Sequence, residues 1–222
     1  MTHVRPTLTV EVFSDVVCPW CYIGKRRFEK AAAELADEVD LQVVFRPYQL
    51  DPTARPGETM PVAEAYARKF GGPEAAQRAI DHVTELAAAE GVEFHMEKAL
   101  RANTLLAHRV LFLAEATGHQ AALKERLLQA YFCDGLNVGD ADVLADLAAE
   151  VGMPRDKVAA FLASDDGRDE VAQMIGIAEA NDIHAVPTYV LDGRFMVPGA
   201  QDPDTFVTVI RRVLARREGA GQ

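Results

Sequence analysis

The chain has 222 residues, 49% hydrophobic and 26% charged, and its 23 basic against 34 acidic side chains leave a formal charge of −11. This composition describes an ordinary globular protein, long enough to bury a core without disulfide staples. The acidic balance argues against nucleic acid or an anionic membrane as partner, because phosphate affinity needs clustered Lys and Arg.

The opening MTHVRPTLTVEVF holds no apolar stretch of the length a secretory signal needs, and no later segment approaches the ~20 apolar residues of a membrane span. A cytoplasmic protein is expected. Its three cysteines are too few for a disulfide scaffold and would rest as thiols in a reducing compartment.

Residues 8–13 (LTVEVF) alternate and are rich in β-formers, a helical stretch runs over about 19–38, and residues 41–45 (LQVVF) repeat the strand signal. Such a strand, helix, strand unit predicts two parallel neighbours in one sheet. From about 61 to 165 the texture is Ala, Leu, Glu and Arg at helical spacing with no convincing strand. Glycine breaks at 71–72, 91, 118, 135 and 152 divide it into about five helices. Strand signals return at 188–191 and 194–197 around the turn Asp192-Gly193, and a helix follows over about 203–217. The basic run Arg211, Arg212, Arg216 and Arg217 reads as the solvated face of that last helix. The order predicts an α/β protein: a mixed sheet flanked by helices, with a large all-helical insertion. The sheet unit would comprise residues 1–60 and 178–222, and the insertion with its connecting helix residues 61–177.

The chemistry concentrates in SDVVCPWCYIG, residues 14–24. Pro19 suits the first turn of a helix, where its missing N–H is not needed, which puts Cys18 at the N-cap and Cys21 one turn inside. Orphan N–H groups and the helix dipole there favour a thiolate at Cys18, and one turn brings the sulfurs within bridging reach. A zinc knuckle needs a second ligand pair that the chain does not offer, and two inert core thiols leave Pro19 and the N-terminal position unexplained. A redox pair is the favoured reading, with no metal and no bound cofactor beyond a Cys18–Cys21 disulfide.

Cys18-Pro19-Trp20-Cys21 after a first strand, a helical insertion, and Val186-Pro187-Thr188 before a terminal hairpin and helix together resemble the thioredoxin superfamily and its DsbA-like branch. FRPYQLDP (45–52), NTLLAHR (103–109), AYF (130–132) and VPGAQ (197–201) resemble its FrnE-type cytoplasmic subgroup. The resemblance implies that Cys18 is the nucleophile and Cys21 the resolving thiol. It implies also that a cis Val186–Pro187 bond opposes them, exposing the Val186 backbone to an extended substrate. Partners would be a disulfide-bearing protein or small molecule, and a thiol or reductase that recycles the pair.

Trp20 departs from the periplasmic DsbA pattern, which has histidine at that position, and so removes one positive contribution to the thiolate. His184 would restore some if it approached Cys18, unless it points into solvent. Arg46 and Tyr48 follow a strand end on the side where α/β sheets bind ligands. Asn103 reads most simply as a helix N-cap, His108 as facing the groove or a neighbouring carbonyl, and Gln201 as a substrate contact of the VPGAQ segment. Cys133 reads as a free thiol at a helix end. The same architecture resembles kappa-class glutathione transferases and hydroxychromene carboxylate isomerases, which use a serine where Cys18 stands and would make glutathione a co-substrate. A non-catalytic peptide-binding module is a third class. The paired cysteines favour the oxidoreductase, since a transferase has no use for a resolving thiol.

Overall fold

The computed structural model describes residues 5–220. Strand β1 (Thr7–Ser14) leads into helix α1 (Pro19–Glu34) and strand β2 (Asp40–Pro47), which returns parallel to β1 with Thr7 opposite Asp40 and Ser14 opposite Pro47. At the other end of the chain, β5 (Thr188–Leu191) and β6 (Phe195–Pro198) form a hairpin. Three residues, Asp192 to Arg194, join the paired Leu191 and Phe195, and the first two of them are left-handed (φ 57° and 63°), with the Arg194 N–H donating to the Leu191 carbonyl at 3.1 Å. β5 runs antiparallel to β1, Phe13 opposite Thr188, and completes a mixed sheet of order β2-β1-β5-β6.

This pairing positions the site. The end of β1, where Cys18 follows, lies beside the start of β5, which Pro187 precedes. Residues far apart in sequence therefore face one another because two strands are in register.

One sheet face buries Leu8, Val10, Val12, Tyr189 and Leu191 against α1 and the last helix, α9 (Pro203–Ala220). Phe28 stacks on Tyr189 at 5.2 Å, and Phe206 meets both rings edge-on at 5.3 and 4.7 Å. Within the basic run, Arg211 pairs with Glu34 and Glu38, and Arg217 with Asp192.

Between β2 and the hairpin lie α2 (Val62–Phe70), α3 (Pro73–Ala89), α4 (Leu105–Ala116), α5 (Gln120–Gln129), a π-turn (Ala130–Asp134), α6 (Ala141–Glu150), α7 (Arg155–Ala163) and α8 (Arg168–Ala180). The glycines expected to break helices do so with positive φ, but they separate six helices over 61–165 rather than five. The same stretch also contains a strand. Leu100–Arg101 (β4) pairs antiparallel with Met60–Pro61 (β3), within a non-helical segment over 92–104 that turns at 96–98 and buries Val92, Phe94, Met96 and Ala99 in the core.

Polar and apolar contacts tie this helical stretch to the sheet. The Gln120 amide accepts from the Phe45 N–H (2.9 Å) and donates to its carbonyl (3.0 Å), so one side chain satisfies a residue on the free edge of β2. The helical core of Val83, Val110, Leu123, Leu127, Phe132 and Leu144 runs into Val16, Tyr22 and Ile23 around the start of α1. Arg109, 1% exposed, donates to the carbonyls of Phe161, Leu162, Ser164 and Asp166, and so closes the C-terminal end of α7.

Candidate active site

Cys18 is the N-cap of α1, extended at φ −90° and ψ 115°, and Pro19 follows in the first turn. The Cys21 N–H donates to the Cys18 carbonyl at 3.0 Å, which holds both cysteines on a single turn. Both are free thiols, 2% and 3% exposed, enclosed by Phe13, Ala178, Ile183 and Val186. This small cluster sits where the sheet core and the helical core meet.

The two thiols are driven in opposite directions. The hydrogen bond from the Cys21 thiol most strongly lowers the Cys18 pKa, with further help from the N–H groups of Cys21 and Trp20 at the helix N-terminus; burial and the Asp15 charge oppose them. Burial pushes Cys21 well up, and its bond and charge contact with Cys18 add to that. The arrangement favours ionisation at the N-cap thiol and opposes it at Cys21. The helix terminus contributes as expected, but the partner thiol contributes more.

Across the cleft, the Cys18 thiol lies 3.7 Å from the Val186 carbonyl, and the Val186–Pro187 peptide is cis. This loop is pinned by Thr188 Oγ1 to the Ala185 carbonyl (2.8 Å) and by the Gly199 N–H to the Pro187 carbonyl (2.8 Å). Trp20 turns outward, 36% exposed, its ring 5.9 Å from that of His82 on α3. A cavity of about 580 Å³ adjoins Val17, lined by Leu50, Met60, Tyr66, Arg101 and Tyr131. Burial and the nearby Cys18 charge raise the Tyr66 hydroxyl to about 12.

The remaining sequence candidates separate. His184 is exposed, 3.8 Å from Asp182, and is not among the groups that act on the Cys18 thiol, which are Cys21, Trp20 and Asp15. Arg46 is held by Glu11 (2.7 Å) and Glu115 (3.2 Å). Tyr48 packs against the thiol cluster. Asn103 is not itself the N-cap, which is Thr104. From one position earlier, its Oδ1 accepts from the Leu105 N–H (2.9 Å) while its amide donates to the Ala54 carbonyl (2.7 Å). Gln201 folds back on its own turn, donating to the Pro198 carbonyl at 2.6 Å. Cys133 lies half-buried in the π-turn, its pKa raised mainly by burial.

His108 is buried, 3.0 Å from the Tyr48 carbonyl and 3.2 Å from Asp15 Oδ1. Asp15 went unremarked in the sequence. Fully buried, it accepts from the N–H groups of Val16 (2.7 Å) and Leu50 (2.8 Å), and from the Thr104 hydroxyl (3.3 Å). Burial alone would raise its pKa, but the hydrogen bond and charge of His108, the Leu50 N–H and the Lys124 charge bring it below the usual carboxylate value. Lys124 on α5 went unremarked too. It is 1% exposed, its ammonium 5.6 Å from the centre of the Phe45 ring. Burial pulls its pKa down, against the charges of Cys21, Asp15 and Cys18. Among the described residues, no three His, Cys, Asp or Glu side chains gather as metal ligands would.

This geometry can be set beside known proteins. Over 206 residues the chain is 31% identical to the uncharacterized protein YwbO of Bacillus subtilis (strain 168), covering 92% of this chain and 96% of that one. A solved structure, a probable DsbA oxidoreductase from Streptomyces coelicolor, superposes with a TM-score of 0.87 at 33% identity, over 94% of this chain and 90% of that one. The cytosolic disulfide reductase DsbM from Pseudomonas aeruginosa, solved with GSH, shares the fold at a TM-score of 0.64 and 20% identity, over 93% of this chain and 99% of that one. The family model of the DSBA-like thioredoxin domain matches residues 9–211. With its mixed sheet, its long helical stretch and two cysteines at the start of α1, the chain belongs to the DSBA-like thioredoxin domain family.

Proposed function

We propose that the protein is a cytoplasmic thiol-disulfide oxidoreductase of the FrnE type, in which Cys18 attacks and Cys21 resolves. The observation that carries this reading is the pair itself: two thiols on one helical turn, the N-cap thiol driven down in pKa and the inner one driven up. The Cys18 thiolate attacks a substrate disulfide. A Cys18–substrate bond forms, the substrate S–S bond breaks, and the first thiolate leaves and takes up a proton. Cys21 then loses its proton and attacks Cys18 Sγ, closing the protein disulfide and releasing the second thiol. Two electrons pass from protein to substrate. A recycling thiol or reductase returns the pair to the dithiol, and the reverse sequence oxidises a dithiol substrate.

Val186, facing Cys18 across the cleft, supplies the backbone that aligns an extended disulfide-bearing segment. The cavity beside Val17 leaves room for a small-molecule substrate or for glutathione as co-substrate, and the DsbM structure solved with GSH supports that use. No helix among the described residues is long and apolar enough to cross a membrane. Residues 1–60 and 178–222 would form one domain and 61–177 a helical domain inserted within it.

The test is trapping. Cys21→Ser should accumulate a mixed disulfide at Cys18 with substrate or a small thiol, and Cys18→Ser should accumulate none; equal trapping by both variants refutes the assignment of roles. Run beside it, a conjugation assay with glutathione and an electrophile addresses the transferase reading, which would be supported by activity that survives Cys21→Ser.

A further inference from the structure

The cavity of about 580 Å³ is lined by Val17, the residue before Cys18, and has the size of a small-molecule site. Its walls are largely apolar, with Leu50, Met60, Val62 and Ala65 among them. Two phenols line it as well. Tyr131 is 2% exposed and lies at the inner end, and Tyr66 on α2 is half-buried. Burial and neighbouring charges act on these hydroxyls, and among the described residues no hydrogen bond does. A buried donor without a partner is costly, so the inner end calls for an acceptor. Three cations, Arg68, Lys69 and Arg101, share the lining with one carboxylate, Asp51, in a chain of formal charge −11. Asp51 is already engaged by Arg101 (2.6 Å) and the Thr53 N–H (3.0 Å), and Arg68 pairs with Glu64. Lys69, exposed at the end of α2, pairs with no carboxylate among the described residues, and its ammonium stands 5.8 Å from the centre of the Phe70 ring.

We infer that this cavity selects small disulfides with an apolar body and a carboxylate. Lys69 and Arg101 receive the carboxylate at the mouth, and the Tyr131 and Tyr66 hydroxyls donate to an acceptor at the inner end. The inference rests on the reading of Cys18 as the attacking thiol, and names the substrate class of that site. An uncharged body of the same shape leaves Lys69 without a counter-charge. A zwitterion such as glutathione fits less well, because its ammonium would meet cations while the one carboxylate of the lining is already engaged. The selection is local. Both the net charge of the chain and Asp15, whose charge opposes the Cys18 thiolate, work against the approach of an anion, so a preference for anionic disulfides has to come from the cavity.

The experiment compares two aromatic disulfides in single-turnover reactions with the reduced protein: dithiobis-nitrobenzoate, which carries a carboxylate on each ring, and dithiodipyridine, which carries none. Attack by Cys18 breaks the S–S bond of either reagent, releases one half as an absorbing product and leaves the other half bonded to Cys18. With each rate divided by that of a free thiol such as dithiothreitol, the protein should favour the carboxylate reagent by about 10-fold, and its rate should saturate with concentration. Lys69→Glu, an exposed substitution, should lower that preference by about 10-fold, and Lys69→Arg should retain it. Tyr131→Phe should raise the half-saturating concentration of dithiobis-nitrobenzoate more than it lowers the limiting rate. A preference absent from the unmodified protein, or left intact by Lys69→Glu, overturns the proposal, as does half-saturation by glutathione disulfide at a lower concentration than by dithiobis-nitrobenzoate. Release from neither reagent by the unmodified protein, or release undiminished in Cys18→Ser, would instead overturn the reading of Cys18 beneath it.

Discussion

Gly24→Ala is a sharp test of how the catalytic helix is seated. In most helices this change adds stability, about 0.5–1 kcal/mol, because glycine loses the most backbone entropy on folding. At Gly24 a methyl group would lie 2.9 Å from Tyr189 Oη, 3.0 Å from Pro187 Cγ and 3.2 Å from Ala200 Cβ. None of these can yield easily. Tyr189 is 1% exposed and wedged between Phe28 and Phe206, and the Pro187 ring is rigid, its carbonyl tied to the Gly199 N–H. Overpacking of this kind costs about 1–3 kcal/mol, which offsets the helical gain and leaves a net loss of up to about 2.5 kcal/mol. Gly176 on α8 is the control, since a Cβ there meets nothing within 4 Å, and its change to Ala should stabilise by about 0.5–1 kcal/mol. Urea unfolding of the reduced proteins should thus move the two midpoints in opposite directions. Because the displaced Pro187 carries Val186 with it, the Cys18 to Val186 contact should open, and mixed-disulfide formation with peptide substrates should slow in Gly24→Ala alone. If Gly24→Ala stabilises as much as Gly176→Ala, the close seating of α1 on the Pro187 loop is wrong.

In the reduced protein at mildly acidic pH, an alkylating reagent should modify Cys18 first. Cys21 and Cys133, both raised in pKa by burial, should lag until denaturation, as mass spectrometry of the digest would read. Asp15→Asn removes a negative charge that opposes the Cys18 thiolate, so half-maximal alkylation of Cys18 should move to lower pH. The same variant bears on acid stability. The Asp15 pKa is lowered in the fold, so its contribution is present above the unfolded value of about 3.9 and lost as pH falls through the folded one; wild type should lose stability more steeply there than the Asn variant. Arg109→Met strips four carbonyls of a charged donor and should cost roughly 3–5 kcal/mol in urea unfolding; a loss under about 1 kcal/mol would mean that the α7 end closes without it.

What the sequence made legible is what local signals encode. The alternation of residues 8–13, proline after Cys18 and Asp192-Gly193 between two short strands each determine structure within a few residues. The β3–β4 pair was not legible, because two residues in each strand give no periodicity to read. His184 was ambiguous for a similar reason, since a loop side chain takes its direction from packing that sequence does not show. Asp15 and Lys124 did leave a trace. Asp15 is an ionisable residue between the apolar pairs of the strand end (Val12-Phe13) and Val16-Val17, and Lys124 shares the buried face of α5 with Gln120, Leu127 and Leu128. A charge on a buried face signals a polar partner or a function, yet its partner cannot be named until distant segments are brought together.

Those partners change what the helical stretch is for. Thr104 and His108 on and before α4 supply two of the groups that hold Asp15, and His108 also meets the Tyr48 carbonyl. From α5, Gln120 closes the Phe45 edge, and the Lys124 charge opposes the upward shift of Cys21. A helical cover that merely shaded the cleft would leave the electrostatics of the thiols to α1 and the strands. Here the carboxylate three residues before Cys18 is buried against α4, and the cation acting on Cys21 comes from α5. Without those helices, Asp15 would keep the Val16 and Leu50 N–H groups but face solvent on its other side, and Cys21 would lose its cationic neighbour. The strands and α1 place the two sulfurs and supply most of what shifts them, while the helical stretch adds the Lys124 charge on Cys21 and the groups that hold Asp15, so substitutions within it can retune the pair without touching the Cys-Pro-Trp-Cys turn.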